Sequence, residues 1–376
     1  MSRRGNGEGS IFRRKDGRFE ARIFIEGKRR SKCAKTQREL QRWLAEVRRA
    51  RDLGLPLIDS RQTLEAFLAS WLPGRKNQIR QGTWSHQDWL IRRYIVPVIG
   101  QVPVARLRPQ HVQLMQDRML EAGLSPTTVH HAHGVLHRAL QDAVRWDQAA
   151  RNVAALVAPP RMVRSEMKTF SREQVQVFLA AAAEDRLHAL WVLAATTGMR
   201  QGELVALRWQ EIDLERRQLR VSATLRWTRG HKAVINPPKT PRSRRQISLS
   251  APALAALRHH KAAQAEEQLH AGPEWPESDF VFTDELGAPL YAHKLLYRFW
   301  RLLERAGLPR IRFHDLRHTV ASLLLAERVH PKIVSDLLGH ASVSITLDVY
   351  SHAVPGLQEE VVRVMDQIAA AVWQDP

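Results

Sequence analysis

The stretch Phe313-His314-Asp315-Leu316-Arg317-His318-Thr319 decides how this chain is interpreted. It places His314 and Arg317 three residues apart at a predicted helix start, so both side chains can project toward one locus. Spacing alone is weak evidence, because a single His-x-x-Arg pair occurs often by chance and usually forms a surface pair. Four further segments accompany it in a fixed chain order, and the whole set is what favours a functional site.

Two of these segments precede the first stretch and two follow it. They are Thr197-Gly198-Met199-Arg200, Pro237-Pro238-Lys239, Leu337-Leu338-Gly339-His340 and Val349-Tyr350-Ser351-His352. Together the five segments supply two guanidinium groups, an acid, imidazole bases and a phenol, which are the groups needed to cut a phosphodiester covalently. Taken singly, each has a plainer explanation: Arg200 could pair with Glu203 one turn on, and Tyr350 could be a half-buried core phenol.

Length, charge and cysteine content bound the class of protein. At 376 residues the chain can hold two or three domains, since a single core rarely grows beyond about 250 residues. Lys and Arg outnumber Asp and Glu by 58 to 38, and such a surplus attracts polyanions, so nucleic acid is the expected partner, ahead of a membrane. The single cysteine, Cys33, excludes an intrachain disulfide and fits a reducing cytoplasm. No apolar run reaches the roughly 20 residues of a membrane span, so we expect a cytoplasmic protein.

Residues 1–55 are predicted to form a separate basic module. Residues 1–60 hold 17 Lys or Arg against 8 Asp or Glu. Alternating apolar residues along 19–25, with Asp16-Gly17 and Glu26-Gly27 at the turns, predict a three-stranded sheet. Thr36 and Glu39 form a capping-box pattern that opens a helix covering it. The DNA contacts predicted in this module are Arg13, Arg14, Lys15, Arg18, Arg22, Lys28, Arg29 and Arg30.

Residues 60–157 are predicted to form a helical bundle. Its clearest helix begins at Ser125, with Pro126 in the first turn and one apolar stripe. The opposite stripe carries the polar residues His130, His131, His137 and Arg138. A metal site is conceivable there, because i, i+4 spacing can pair two imidazoles. That face has no acidic third ligand, so a solvated or phosphate-facing polar side is the favoured interpretation.

Residues 165–376 are predicted to form a third domain, after an extended linker around Pro159-Pro160. A capping box from Ser171 to Gln174 opens its first helix. Strands near 219–223 and 247–249 flank a loop rich in Pro, Lys and Arg, and helices resume at about Ala251. Arg242, Arg244 and Arg245 in that loop are predicted to contact DNA. The predicted fold class is therefore multidomain and mainly α, with small β-sheets.

In this order and in these contexts, the five segments resemble the tyrosine recombinase, or phage integrase, family. The resemblance covers residues 170–352, with every catalytic position matched, and extends more loosely to the middle domain and the N-terminal module. It implies a mixed α/β catalytic domain, a helical core-binding (SAM-like) domain and an arm-site-binding domain. The implied activity is site-specific DNA recombination through a covalent 3′-phosphotyrosyl intermediate, integrating or excising a phage or other mobile element.

The resemblance assigns the clamp and the nucleophile. Arg200 and Arg317 would bind the non-bridging phosphate oxygens, because planar guanidinium groups suit the charge that accumulates there. Glu203 would orient Arg200. Tyr350 would attack the phosphorus, and it needs deprotonation beside those cations, since its ordinary pKa is near 10.

The remaining residues are assigned to proton transfer and phosphate binding. Lys239, on the loop between two strands, would protonate the departing 5′ oxygen as a general acid. His314 would accept a proton or position the reacting groups. His340, directly after Gly339 ends a helix, would hydrogen-bond a phosphate oxygen.

No cofactor and no metal are expected. The sequence has no Gly-x-x-x-x-Gly-Lys loop, no His-Glu-x-x-His motif and no clustered Asp/Glu set for two-metal chemistry. The expected partners are double-stranded DNA at core and arm sites, with a DNA-bending or excision accessory protein as a further candidate. The resemblance implies a homotetramer that exchanges strands through a four-way junction.

The segment 357–373 has apolar residues at helical spacing, and this face must be buried somewhere. Packing within the chain is one option, and docking onto a neighbouring protomer is the favoured one. Two other functions stay open at this point. One is a type IB topoisomerase-like strand relaxase, and the other is a DNA-binding regulator that does not cut.

Overall fold

The computed structural model describes residues 9–25, 28–52, 62–162, 167–227, 233–238 and 243–350, together with residues 362, 365 and 366. The chain divides into two compact units, residues 1–165 and 166–376. The first unit contains two separate hydrophobic cores, one beneath the N-terminal sheet and one inside a helical bundle. The predicted fold class, mainly α with small sheets, is confirmed.

The N-terminal sheet is antiparallel with the order β1-β2-β3, formed by Ser10–Arg13, Phe19–Ile25 and Lys28–Ala34. Helix α1, Gln37–Asp52, covers one face, and its Leu40, Leu44 and Val47 are buried there as predicted. The Glu39 N–H donates to Thr36 Oγ1 at 3.4 Å, which satisfies one donor of the first turn. The first predicted turn is present, with Gly17 at φ 82°. The second, at Glu26-Gly27, lies outside the described residues.

Strand register separates the residues of the sheet into two faces. Ala21, Ile23 and Ile25 are buried against α1, so the alternating residues of β2 lie on the other side. Cross-strand partners share a face, and Phe12 is opposite Glu20 while Arg29 is opposite Phe24. We define the open sheet face by the residues Phe12, Glu20, Arg22, Phe24 and Arg29.

Within the described residues, the bundle of the first unit has five α-helices. They are α2, Leu64–Gly74; α3, Gln81–Leu90; α4, Val96–Ile99; α5, Pro109–Glu121; and α6, Pro126–Arg145. A π-helical segment, Ile91–Ile95, joins α3 to α4. Ser125 caps α6 through a bond from the Thr128 N–H, as its sequence position predicts. The predicted apolar stripe of α6 is buried, and Trp71 Nε1 donates to Asp142 Oδ2 at 3.0 Å across the bundle.

Within the described residues, the second unit packs eight helices and five short strands around a large core, with a smaller buried cluster formed by residues of its last helices. The helices are α7, Arg172–Ala181; α8, His188–Thr197; α9, Gln201–Leu204; α10, Ala251–Ala271; α11, Ala292–Arg305; α12, Phe313–Ala326; α13, Pro331–Leu338; and α14, Val343–Tyr350. The capping box of Ser171 and Gln174 is present at the start of α7, as predicted. Helix α8 is buried on nearly all sides, so the residues at its carboxyl end are fixed by the core.

The strands of the second unit form two sheets. Strands β4, Ile212–Asp213; β5, Gln218–Val221; and β8, Arg245–Ser248, pair in the order β4-β5-β8. Strands β6, Thr224–Trp227, and β7, Ala233–Asn236, form a separate two-stranded ribbon. The sequence predicted a loop there, so the ribbon corrects that expectation. Burial of Leu219 and Val221 on β5 and of Ile247 on β8 agrees with the predicted alternation.

Among the described residues, no helix has both the length and the apolar character needed to span a membrane. The segment 357–373 lies almost entirely outside the described residues. Of its predicted apolar face only Met365 is described, and it is 57% exposed.

Candidate active site

The end of helix α8 places Arg200 at the site. Gly198 ends the helix in the left-handed conformation, φ 61°. A Cβ atom there would lie 2.5 Å from Cδ2 of the buried Leu338, so a larger residue would have to displace that side chain and also adopt a left-handed φ. Arg200 follows as the N-cap of α9, and its Nη2 donates to the Gly339 carbonyl at 3.3 Å. The Arg200 side chain is 36% exposed, so it can reach a ligand while the backbone around it is held.

The Glu203 carboxylate is the centre of a buried ion-pair network. Its Oε1 accepts from Arg200 Nη1 at 2.7 Å, and its Oε2 accepts from the Arg200 N–H and from Arg245 Nη2, both at 3.0 Å. Burial alone would raise the pKa of Glu203, but Arg245 and then Arg200 hold it below its usual value. The carboxylate therefore stays charged and fixes the Arg200 side chain, as the sequence predicted for Glu203.

Arg245 has a different position from the one the sequence predicted. Its side chain is only 6% exposed, and besides Glu203 it donates from Nε to the Leu337 carbonyl at 2.6 Å and from Nη1 to the Ser243 carbonyl at 3.3 Å. A guanidinium group with these acceptors cannot leave them for a DNA phosphate without removing one of the two cations that pair with the buried Glu203 carboxylate. The predicted DNA contact at Arg245 is therefore replaced by a structural role, whereas Arg244 beside it is exposed.

Helix α12 brings Arg317 to the same place. The Arg317 side chain is buried, 2% exposed for the residue, and its Nη1 donates to the Gly198 carbonyl at 3.0 Å. Gly198 lies two residues before Arg200, so Arg317 bonds the same turn of the chain from which the Arg200 side chain projects. Asp315 caps the start of α12 by accepting from the Arg312 N–H at 2.8 Å. The prediction that His314 and Arg317 lie at a helix start is confirmed.

His314 lies in the first turn of α12 and opens to solvent. Desolvation by the surrounding protein atoms, followed by the charges of His318, Arg317 and Arg200, lowers its pKa to about 4. Because the ring opens to solvent, water screens part of this effect. His314 is therefore neutral at pH 7 and keeps a lone pair with which to accept a proton.

His340 is fixed by the end of helix α13. Gly339 ends the helix with φ 66°, and the His340 N–H donates to the Ser335 carbonyl at 3.0 Å. The ring Nδ1 lies 2.8 Å from Thr346 Oγ1. Burial, then Arg317 and Arg200, lowers the pKa of His340 to about 4. Arg200 bonds the carbonyl of Gly339, the residue before His340, and Arg317 bonds the carbonyl of Gly198, so His340 and both arginines lie around one locus. His314 lies one turn before Arg317 on α12, and the same two arginines lower the pKa of both rings.

The other predicted catalytic residues are described in part or not at all. Tyr350 is the last residue of α14, one helical turn beyond Thr346, and its side chain lies outside the described part. Lys239 and the predicted DNA contact Arg242 also lie outside the described residues. Chain connectivity places Lys239 between β7 and β8, on the segment that leads to Arg245.

The DNA contacts predicted in the N-terminal module do not lie on one surface. Register places Arg22 and Arg29 on the open sheet face, whereas Arg13 and Arg30 are opposite the buried-face residues Phe19 and Ile23. Lys28 is opposite Ile25, and its side chain is outside the described part. The last three, Arg14, Lys15 and Arg18, lie in the exposed first turn. Arg22 stacks on Phe12, with its Cζ 4.2 Å from the ring centroid, and donates to Glu20 at 2.7 Å.

The histidine stripe of α6 shows no metal-ligand set. Across the described ranges, no three His, Cys, Asp or Glu side chains are grouped so that they could hold a metal ion. His131 is exposed and packs edge-on to His86, while His130 and His137 are half-buried. His133, which the sequence did not single out, is buried with its Nδ1 3.0 Å from Gln116 Nε2.

The sequence did not indicate two features of the site. It assigned Arg245 to DNA and not to Glu203, and it did not single out Thr346. Each had a signal. Arg245 precedes the inward-facing Ile247 by two residues, so strand alternation places both on one face. Thr346 precedes Tyr350 by four residues, so helical periodicity places both on one side of α14.

This geometry can bind one tetrahedral anion with two guanidinium groups and two neutral imidazoles, beside the helix that ends at Tyr350. That combination defines a class of protein that acts on phosphate esters through a tyrosine.

Comparison with known proteins agrees with this class. The phage integrase family model matches residues 168–355, and the model of the phage integrase N-terminal SAM-like domain matches residues 63–120. A XerC-like tyrosine recombinase of Caldanaerobacter subterraneus subsp. tengcongensis is 32% identical over 282 residues, covering 70% of this chain and 72% of the relative.

Solved structures have the same fold. The Tn1549 transposon integrase in complex with a circular intermediate DNA aligns with a TM-score of 0.69 at 22% identity, over 81% of this chain and 99% of that one. A lambda integrase tetramer bound to a Holliday junction aligns with a TM-score of 0.57 at 18% identity, over 92% and 96%. The chain belongs to the phage integrase family and is a tyrosine-type site-specific recombinase.

Proposed function

We propose that this recombinase cuts and rejoins DNA through a covalent 3′-phosphotyrosyl bond to Tyr350, and that it integrates or excises a phage or other mobile element. The observation that carries the proposal is the convergence of Arg200, Arg317, His314 and His340 on one locus. The names of the relatives support the biological setting, since one of the aligned structures is a transposon integrase.

The proposed reaction begins with in-line attack. The Tyr350 phenolic oxygen forms a bond to the scissile phosphorus, the bond from phosphorus to the 5′ oxygen breaks, and that oxygen takes up a proton. Negative charge on the non-bridging oxygens is stabilised by Arg200 and Arg317, which the protein has already oriented. Resealing is the reverse reaction, in which a 5′ hydroxyl attacks the phosphotyrosyl bond.

We assign the two proton transfers to His314, as the acceptor, and to Lys239, as the donor. His314 is neutral at pH 7, so it can accept a hydrogen bond or a proton from the phenol. A bound phosphate would offset the charges of the two arginines and raise the pKa of His314, which makes the ring a better base once DNA is present. Lys239 is proposed as the acid that protonates the 5′ oxygen, because its segment leads into Arg245 and hence to the site.

DNA binding is proposed to involve the N-terminal module as well as the catalytic unit. On the open sheet face, Arg29 is cross-strand to Phe24, which is 64% exposed. An exposed aromatic ring beside arginines suits a surface that exchanges water for DNA phosphates and bases. We assign this module, residues 1–55, to arm-type sites, residues 60–157 to core-site binding and residues 165–376 to catalysis.

Assembly is proposed to be a homotetramer on DNA. The lambda integrase that aligns with this chain is a tetramer on a Holliday junction, and recombination between two duplexes needs four cleavages. The segment 357–373 is the proposed contact between protomers. A DNA-bending or excision protein is a further proposed partner.

The function is tested with a nicked DNA substrate that releases a short fragment after cleavage, so that the covalent adduct accumulates. Wild-type protein should form a denaturant-resistant adduct, and Tyr350→Phe should form none. Tyr297→Phe is the matched control, because Tyr297 is a tyrosine of the same unit that is 56% exposed. An adduct in Tyr350→Phe, or its loss in Tyr297→Phe instead, would refute the assignment.

A further inference from the structure

Thr346 contacts the catalytic pocket although it belongs to none of the five segments that identify it. The residue is fully buried, and its Oγ1 lies 2.8 Å from His340 Nδ1. It lies on α14, four residues before Tyr350, so the bond joins the helix of the nucleophile to the ring proposed to bind phosphate. A hydroxyl can donate to a ring nitrogen or accept from it, so the direction of this bond goes with the tautomer of the ring.

The state of the ring follows from its surroundings. His340 is half-buried, and Arg317, Arg200, His318 and Arg245 all act on it electrostatically. Burial, followed by the positive charges of Arg317 and Arg200, keeps the ring neutral at pH 7, so it carries a single N–H. A phosphodiester oxygen can only accept a hydrogen bond. The ring therefore has to present an N–H to it, and with Nδ1 at Thr346 this N–H is on Nε2.

We propose that Thr346 is a positioning residue whose hydroxyl donates to His340 Nδ1 and so holds His340 as the Nε2–H tautomer that donates to the scissile phosphate. The proposal rests on the phosphate-binding role given to His340 above. With the opposite tautomer, Nδ1–H would donate to Thr346, and Nε2 would direct a lone pair at an anion. The same bond fixes the first turn of α14 relative to α13, which sets the approach of the helix end that carries Tyr350.

The test compares Thr346→Val, which keeps the shape and removes the hydroxyl, with Thr346→Ser, which keeps the hydroxyl. Thr319→Val is the matched control, because Thr319 is equally buried and its hydroxyl bonds the Asp315 carbonyl and the Phe170 N–H. Adduct formation is measured at saturating DNA, and affinity is measured separately. Thermal denaturation of each variant establishes that it is folded.

We expect Thr346→Val to slow adduct formation about tenfold with DNA affinity unchanged, which is less than the roughly 10²-fold cost of losing a preorganised donor outright. Thr346→Ser should restore the rate. Nitrogen NMR of the ring, with the His340 signal assigned by its absence in His340→Gln, should show an unprotonated Nδ1 in wild type and a mixture of the two tautomers in Thr346→Val. A merely structural role would not change the tautomer.

Two results would overturn the proposal. One is a wild-type His340 ring protonated at Nδ1, and the other is a Thr346→Val variant that keeps both the rate and the tautomer of wild type. Failure of the proposed function is a different outcome, because it would appear as an adduct that survives Tyr350→Phe, whatever the ring of His340 shows.

Discussion

Arginine side chains have opposite surroundings in two regions of this protein. On the open sheet face, Arg29 is exposed beside Phe24. In the pocket, the Arg245 side chain is 6% exposed, the Arg317 residue is 2% exposed, and each donates to backbone carbonyls of neighbouring elements. An exposed guanidinium gains little from a single partner and can exchange water for phosphate, whereas a buried one must keep its partners. The comparison teaches that burial, and not residue type, separates arginines suited to binding DNA from those that build the site.

The largest expected effect is that of Arg200→Gln. It removes one of two preorganised cations from the transition state, so adduct formation at saturating DNA should fall about 10³-fold. DNA affinity should change by less than about tenfold, because many other contacts bind the duplex. Arg216→Gln is the control, since Arg216 belongs to the same unit and its side chain is 82% exposed. Equal losses in the two variants would show that Arg200 does not differ from an exposed arginine in the way proposed.

The neighbouring residues Arg244 and Arg245 allow the same comparison between an exposed and a buried arginine. Arg245→Gln leaves the buried Glu203 with one cation fewer, so we expect a loss of about 3 kcal/mol in stability and a cleavage rate about tenfold to a hundredfold lower. Arg244→Gln should weaken DNA binding and leave the cleavage rate at saturation unchanged. Arg245→Lys should be intermediate, because an ammonium cannot match the three acceptors of the guanidinium fork.

These outcomes are measured by urea denaturation, by DNA titration and by single-turnover cleavage. If Arg245→Gln weakened DNA binding while leaving stability and rate intact, the original prediction of a DNA contact at Arg245 would be restored.

Local features of this fold could be predicted from the sequence because short-range chemistry determines them. The caps at Thr36, Ser125 and Ser171 each involve a side chain and an N–H three residues apart, and all are present. The buried stripe of α6 follows from helical periodicity alone. The order of the five catalytic segments was sufficient for the family, since each segment carries its own context.

Other features depend on contacts that are distant in the chain. Glu203 and Arg245 are 42 residues apart, and no local pattern indicates that a loop arginine will meet that carboxylate. The β6–β7 ribbon was missed because Val234 and Ile235 on β7 are both exposed, so the strand lacks the alternation by which strands are recognised. Burial is a property of the folded chain, and this is why the DNA-binding prediction failed at Arg245.

A smaller effect is expected on the sheet, where Arg29 and Arg30 form a second neighbouring pair. Arg29 shares the open face with Phe24, whereas Arg30 is opposite the buried-face residue Ile23. Arg29→Gln should weaken binding to arm-type DNA several-fold and reduce the salt dependence of log K by about 1, as loss of one phosphate contact does. Arg30→Gln should have a clearly smaller effect. Similar losses would mean that the open face, as defined by register, is not the DNA-binding face.

The smallest expected effect is a difference in pH dependence between the two regions. In the pocket, the pKa values of His314 and His340 are lowered to about 4, and the pKa of His318 is lowered as well. Their ordinary value is near 6.5, so the unfolded chain binds more protons between these limits. Stability from these groups is complete above pH 6.5 and is lost as the pH falls toward 4. Residues 1–60 contain no histidine. The pKa values of Asp16 and Glu20 are lowered from 3.8 and 4.5, so the stability from these two carboxylates is lost only as the pH falls below those ordinary values.

Urea denaturation followed by fluorine NMR of 5-fluorotryptophan can measure both regions in one sample, because Trp43 packs beside the sheet and Trp191 is in the catalytic core. Between pH 7 and pH 5 the midpoint for Trp191 should fall while that for Trp43 stays constant. The fall should shrink in the His314→Gln/His340→Gln double variant without vanishing, since His318 and His260 also have lowered pKa values. If the Trp191 midpoint fell by the same amount in the double variant, the protons would be taken up outside the pocket. Bound DNA should reduce the fall of this midpoint in wild type, because phosphate offsets the charge of the arginines that help to keep the two rings neutral.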